Sequence, residues 1–206
     1  METASVSYVE NTPQLSPTQL KRKSQILKAA RELAEGGGYK AVTMASVAEK
    51  AKTTRVTVYH YFANKDHLLA EVVLLWSCEL VERLRSEPLD GADTPEQIAY
   101  RFEQLVRLMW REPKLVESVL ASFVSAESGT LEATEKLYGL INIYLSSALN
   151  DQQIEAFNAV ERTIGHLFFS VLLNLCTRRM ELDEALEDLK VGIGIIYGHA
   201  TQSIRA

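Results

Sequence analysis

What the chain lacks already narrows its chemistry. It has two cysteines in 206 residues, Cys78 and Cys176, far apart and each in an apolar helical context. That spacing argues against a disulfide framework or a paired-cysteine zinc site, and both are expected to be reduced core residues. The longest apolar stretch, Leu167 to Cys176, is interrupted by Ser170 and Asn174 and falls well short of the roughly 18 to 20 residues that span a bilayer, so no membrane association is expected. The first residues, METASVSYVENTPQLSP, show no cationic start followed by an apolar run, and a cytoplasmic protein is expected. There is no G-x-S-x-G, H-E-x-x-H or P-loop pattern, and carboxylates such as Glu155 and Glu161 read as a solvated helix face. A metal role for His60 has no second ligand at a suitable spacing. The expectation is a protein that is not an enzyme and needs no cofactor.

What is present is a foldable, mostly helical chain. Apolar residues make up 47% and charged residues 24%, close to the average for globular proteins. The net charge of −5 conceals a segregation along the chain. Residues 17–67 carry ten Lys or Arg against four acids, a local charge of +6, which leaves −11 on the remainder. A basic N-terminal third on an acidic body suggests a module for a polyanion joined to a part with other work.

The ten glycines and five prolines punctuate long stretches of helical periodicity, so the fold class is all-α, with about nine helices. Residues 1–15 lack an apolar stripe and read as a flexible tail. The first helix opens at Ser16-Pro17, a cap residue followed by proline at the first helical position, and is expected to stop at Gly36-Gly37-Gly38. Its stripe is Leu20, Ile26, Leu27, Ala30, Leu33 and Ala34. Thr43 caps a short helix through Ala51, Thr54 a second over Arg55 to about Tyr61, and Asn64 a long one with Leu68, Leu69, Val72, Val73, Trp76, Leu80 and Leu84 at helical spacing. Ser86 to Pro95 reads as a linker. Further helices are expected at about 95–111, 113–126, 131–149, 152–178 and 182–204.

Two short helices joined by a tight turn, the second opening with small hydroxyl residues and a base, are what a helix-turn-helix requires. Residues 43–62, TMASVAEKAKTTRVTVYHYF, fit this description. Val47, Ala48, Ala51, Val58 and Phe62 form the inner face. Thr54, Arg55, Thr57, Tyr59, His60 and Tyr61 face outward or flank a groove, and amides near Thr43 and Thr54 can hold phosphate with help from Lys65.

The stretch from Ala29 through Leu69, including GGYKAVTMASVAEKAKTTRVTVYHYFANKDHLL, resembles the N-terminal domain of the TetR family of bacterial one-component transcriptional regulators. Carried over position by position, the resemblance implies phosphate or base contacts from Thr43, Thr54, Arg55, Thr57, Tyr59, His60, Tyr61 and Lys65. Two positions depart from the family pattern. The turn usually has glycine where this chain has Lys52, which places a side chain where positive φ is expected. The recognition helix usually has glycine where this chain has Val56, which bears on the bases approached.

The resemblance also implies a C-terminal ligand pocket and a dimer seam built from the last two helices. Candidate pocket residues are Phe102, Leu105, Met109, Trp110, Val119, Phe123, Tyr138, Ile141, Phe168, Phe169 and Leu172, with His166 and Asn174 able to fix a polar group. Their aromatic and methionine content suits a large apolar effector such as a lipid, sterol or acyl derivative. Glu112-Pro113-Lys114-Leu115 through Glu127, with Thr177-Arg178-Arg179, is similar to the family's regulators of sterol and fatty-acid catabolism. Gly192, Gly194 and Gly198 interrupt the last helix at up to about 1 kcal/mol each relative to alanine, a pattern suited to close helix approach.

The resulting expectation is a DNA-binding domain at 16–67 and a ligand-binding and dimerisation domain at 68–206. Together they would form a homodimeric repressor on a pseudo-palindromic double-stranded operator, released by a small apolar effector. An activator of the same family, or a helical interaction protein without DNA binding, are the alternatives.

Overall fold

A computed structural model of the protein describes residues 15–85, 94–124 and 154–203. These residues form α1 (Pro17–Ala41), α2 (Met44–Lys50), α3 (Arg55–Tyr61), α4 (Lys65–Arg85), α5 (Pro95–Met109), α6 (Pro113–Val124), α7 (Ile154–Cys176) and α8 (Leu182–Ser203). Among the described residues there is no strand. The helix expected at 131–149, most of the N-terminal tail and most of the 86–95 linker lie outside them.

Local chemistry explains the helix starts. Ser16 accepts from the Gln19 amide while Gln19 Oε1 accepts from the Ser16 amide at 2.8 Å, a reciprocal cap that satisfies two helix-end donors. Thr94 caps α5 by accepting from the Gln97 amide, with Pro95 at the first helical position. The end of α1 differs from expectation. Helical geometry runs through Gly36 and Gly37, breaks at Gly38 (φ 67°, ψ −167°) and resumes to Ala41. Only the third glycine makes the bend, in a left-handed conformation that costs glycine little.

One continuous core runs through the described residues, with Trp76, Phe62, Phe102, Ile26, Leu68, Leu69, Ile98 and Leu115 almost fully buried. The long helix α4 links its two ends, since it packs on α1, α5 and α6, while α1 lies along α6 and α8 packs on α5 and α7. Two residues depart from the expected core. Leu20 is 54% exposed, because the first turns of α1 extend beyond the helices that cover Ile26, Leu27 and Ala30. Cys78 is exposed on α4, one residue from Glu79 on the side turned from the core. Cys176 is half-buried, and burial followed by the charge of Glu117 pushes its thiol up to about 11.

The join between α1 and the body is polar. Arg31 donates to Glu35 at 2.7 Å, to Glu79 on α4 at 2.6 Å and to Glu112 before α6 at 3.5 Å. Burial works against its charged form, but the hydrogen bonds and negative charge of these carboxylates more than offset it, so the guanidinium pKa is raised. The second oxygen of Glu112 accepts from the buried Trp76 indole at 3.2 Å. Lys114 on α6 donates to the Gly36 carbonyl.

Glu112→Ala leaves that indole N–H without its acceptor and removes one arm from Arg31, so it should cost about 2 kcal/mol, which for a chain of this length lowers the thermal midpoint by roughly 4 to 8 °C. Calorimetry of the two proteins checks this. An unchanged midpoint would mean that the ion pairs are solvent-screened and contribute nothing.

Candidate nucleic-acid interface

The helix-turn-helix is held by its caps. Thr43 Oγ1 accepts from the Ser46 amide at 3.0 Å, and Ser46 Oγ accepts from the Thr43 amide at 2.9 Å. Thr54 Oγ1 accepts from the Thr57 amide at 3.1 Å and lies 2.9 Å from the Thr57 hydroxyl. The threonines expected at the phosphate backbone are therefore helix caps in this structure, and Thr54 is at the same time exposed at the start of α3. Ser46 was not singled out from the sequence; its signal was the third position after a capping threonine.

Between the two helices the backbone makes a double reversal. The Thr53 amide reaches the Ala48 carbonyl at 2.9 Å and the Lys52 amide reaches the Glu49 carbonyl at 3.1 Å. This is the paired bond pattern that closes a helix through one left-handed residue, and that residue is Lys52, at φ 51°. The same pattern closes α7, with Arg178 at φ 54° and the Arg179 amide on the Asn174 carbonyl.

Two faces of α3 are distinct. Val58 is buried within α3, and Phe62 just after it, on the same side as Val47 and Ala48. Arg55, Val56, Tyr59 and His60 are exposed, and Thr57 and Tyr61 half-buried. Tyr61 lies edge-on to His60 at 5.1 Å between ring centroids. Phe62 packs edge-on to His67 at 5.6 Å and lies 5.7 Å below the Lys23 ammonium, which pairs with Glu71 at 3.1 Å. Of the eight residues expected to contact DNA, Thr54, Arg55, Thr57, Tyr59, His60 and Tyr61 thus gather on or beside α3, Thr43 heads α2, and Lys65 stands at the start of α4.

Lys65 has a defined seat. Its ammonium lies 3.3 Å from the centroid of the Tyr39 ring and donates to the Tyr39 carbonyl at 3.3 Å. Burial lowers its pKa, partly opposed by Asp66. Tyr39 in turn donates to Asp66 at 2.7 Å, and burial together with that carboxylate pushes its phenol up to about 12. The bend at Gly38 is what delivers Tyr39 to this position. Nothing in the periodicity of the sequence marked the Tyr39, Lys65 and Asp66 group, because it joins residues 26 and 27 positions apart.

The expected pocket residues divide. Phe102, Leu105, Met109, Val119, Phe168 and Leu172 are buried in the common core, with the Phe102 and Phe168 rings 5.3 Å apart. Trp110 and Phe169 are half-buried against them. His166 is exposed, and half-buried Asn174 donates to the Ser170 carbonyl of its own helix at 3.0 Å. Tyr138 and Ile141 lie outside the described residues, as does the side chain of Phe123. A cleft of about 460 Å³ stands elsewhere, between α1 and the turn into α6, lined by Arg31, Glu35, Arg111, Glu112, Pro113 and Lys114; its charged walls suit the head-to-body join better than an apolar ligand.

Comparison with known proteins bears on this arrangement. Residues 26–72 match the family described as bacterial regulatory proteins, tetR family, and residues 91–196 match the tetracyclin repressor-like C-terminal domain. The HTH-type transcriptional repressor KstR of Rhodococcus jostii is 29% identical over 188 residues, covering 91% of this chain and 88% of that protein. Its namesake in Mycobacterium tuberculosis is 27% identical over 184 residues, covering 89% and 84%. Among solved structures, a TetR transcriptional regulator from Rhodococcus sp. RHA1 superposes with a TM-score of 0.70 at 23% identity, over 88% of this chain and 98% of that one. Thermus thermophilus FadR, a TetR-family repressor solved with lauroyl-CoA, gives 0.67 at 22% identity over 85% and 93%. At such identities the structural likeness speaks for the fold alone.

Lys52 offers a test of the turn. A side chain in the left-handed region costs about 1 to 2 kcal/mol, and glycine relieves it while adding roughly 0.5 to 1 kcal/mol of unfolded-state entropy. Lys52→Gly should therefore stabilise the protein modestly in chemical denaturation, and Lys52→Ala should not. Equal effects from the two would show that the turn is not held at positive φ.

Proposed function

The chain belongs to the TetR family of bacterial regulatory proteins, and from that premise we propose that it is a ligand-responsive transcriptional repressor, acting in the cytoplasm as a homodimer on a pseudo-palindromic operator. The observation that carries the reading is the outward face of α3, where Arg55, Tyr59 and His60 stand exposed on a short helix fixed by a capping threonine and two buried side chains. The proposed head is residues 16–67 and the proposed ligand-binding and dimerisation body is residues 68–206. Arg55 and Tyr59 reach base edges, Thr43, Thr54, Thr57, His60 and Tyr61 brace or flank the groove, and Lys65 meets a phosphate from its seat on Tyr39.

The relatives named KstR are transcriptional repressors, which supports repression over activation. The lauroyl-CoA held by Thermus thermophilus FadR supports an acyl or similarly apolar effector lodged near Phe102, Leu105, Met109, Trp110, Val119, Phe123, Tyr138, Ile141 and Phe169, with His166 or Asn174 toward a polar end. For the dimer, the support lies on α8. Val191 and Ile195 are 50% and 62% exposed, and Gly194 and Gly198 have open space where a Cβ would be. A second copy of α7 and α8 can approach closely there.

Selection of bound fragments from the genome of the source organism, at near-physiological salt with competitor DNA, tests the proposal. One inverted-repeat motif should be enriched. Arg55→Ala should bind it roughly 5- to 150-fold more weakly, since a bidentate base contact contributes about 1 to 3 kcal/mol, and the affinity of the parent protein should fall steeply as salt rises. No enrichment, with or without lauroyl-CoA present, would overturn the proposal in favour of a helical interaction protein.

A further inference from the structure

The most exposed large apolar side chain on α3 stands beside its cation. Val56 is 79% exposed, the largest exposure of any large apolar side chain among the described residues, and it lies one position after Arg55 at the start of the helix. Val58, two positions on, is fully buried, so the helix fixes Val56 on the side turned from the core. Residues 56, 59 and 60 fall on one stripe at helical spacing, and all three are exposed, Tyr59 by 54%. A branched apolar side chain therefore stands between a guanidinium and two aromatic rings on the outermost surface of a basic head.

Valine also has a low helix propensity, because its branched Cβ loses rotamer freedom against the preceding turn. It gains no burial here in return. It has neither donor nor acceptor, so on a base-pair edge only one feature complements it. In the major groove that feature is the C5-methyl of thymine, the one alkyl group displayed there, where cytosine carries only a hydrogen.

We propose that Val56 is a specificity-determining residue that reads a thymine methyl group in the operator. The inference rests on the operator-binding reading above and deepens it. Arg55 and Val56 then act as neighbouring readers, the guanidinium taking acceptors on a purine and the valine selecting the methyl of a thymine close by. Binding at that position depends on a methyl group and on no hydrogen bond.

The test uses duplexes recovered from a random-sequence pool by the full-length protein and, in parallel, by Val56→Ala. The substitution touches a side chain in solvent and places a better helix former in α3, so the fold is retained, which circular dichroism and thermal melting verify. In the recovered duplex each thymine is then replaced in turn by deoxyuridine, which deletes the methyl and leaves the Watson–Crick and hydrogen-bonding edges intact. At one thymine in each repeat, uracil should weaken the parent protein about fourfold, the value of one buried methyl-sized group, and should leave Val56→Ala unchanged. Replacing a cytosine by 5-methylcytosine elsewhere in the repeat controls for nonspecific effects of a methyl group and should not reproduce the pattern. A recovered motif in which every uracil affects both proteins alike overturns this inference and leaves operator binding standing. Failure of the parent protein to recover any motif overturns both.

Discussion

The arrangement of the molecule depends on a single guanidinium. Arg31 stands on α1, the helix that carries the basic head, and its donors reach Glu35 on the same helix, Glu79 on α4 and Glu112 at the entry to α6. Glu112 is itself held by the Trp76 indole from inside the core. Three helices are thereby locked at one point, with three carboxylates sharing one delocalised cation that offers a fork of donors in fixed directions. A lysine would satisfy the charge but not the geometry. The contact of Lys114 with the Gly36 carbonyl and the approach of Glu117 to Gly38 extend the same join toward the end of α1. Because α2 packs on α1 and α3 packs on α2, the direction in which α3 faces is set through α2 and α1 by α4 and α6.

The head is built so that this orientation is kept up to its outermost helix. α3 has seven residues, too few to be stable alone, and its shape comes from the Thr54 cap, the buried Val58 and the Phe62 anchor beside His67. The end of α2 is closed by a lysine at positive φ, an energetic cost accepted at the turn that sets the angle between the two helices. Charge is distributed in the same way. Lys50 pairs with Glu32, Lys23 with Glu71 and Arg31 with its three acids, so part of the excess positive charge of the head is internal structure. Exposed Arg55 and Lys52 remain at the turn and on α3.

How much of this could be read from the sequence depended on the range of the interaction. Features set within four residues were legible: the caps at Ser16, Thr43, Thr54 and Asn64, the inward Val58 and Phe62, and the positive φ of Lys52, which followed from a departure at a position where glycine is usual. Helix stripes were legible in the middle and failed at the start of α1, where Leu20 has the right period but, among the described residues, no helix opposite it. Cys78 failed for a related reason, since an apolar neighbourhood in sequence does not fix which side of α4 a residue occupies. The Arg31 join and the Tyr39 seat of Lys65 were not legible at all. Each brings together polar residues from helices distant in sequence, and no period or spacing encodes which acid a given base will meet. Of the candidate pocket, Phe102, Leu105, Met109, Val119, Phe168 and Leu172 were recognisable as buried, but the same pattern serves a core and a cavity wall.

The central claim is that two copies of this chain place their α3 helices in successive major grooves on one face of DNA. Hydroxyl-radical footprinting on the selected duplex tests it most directly. The account predicts two protected segments on the same face, their centres separated by one helical turn, about 34 to 36 Å or 10 to 10.5 base pairs. A single protected segment, or uniform protection without a helical period, would contradict it.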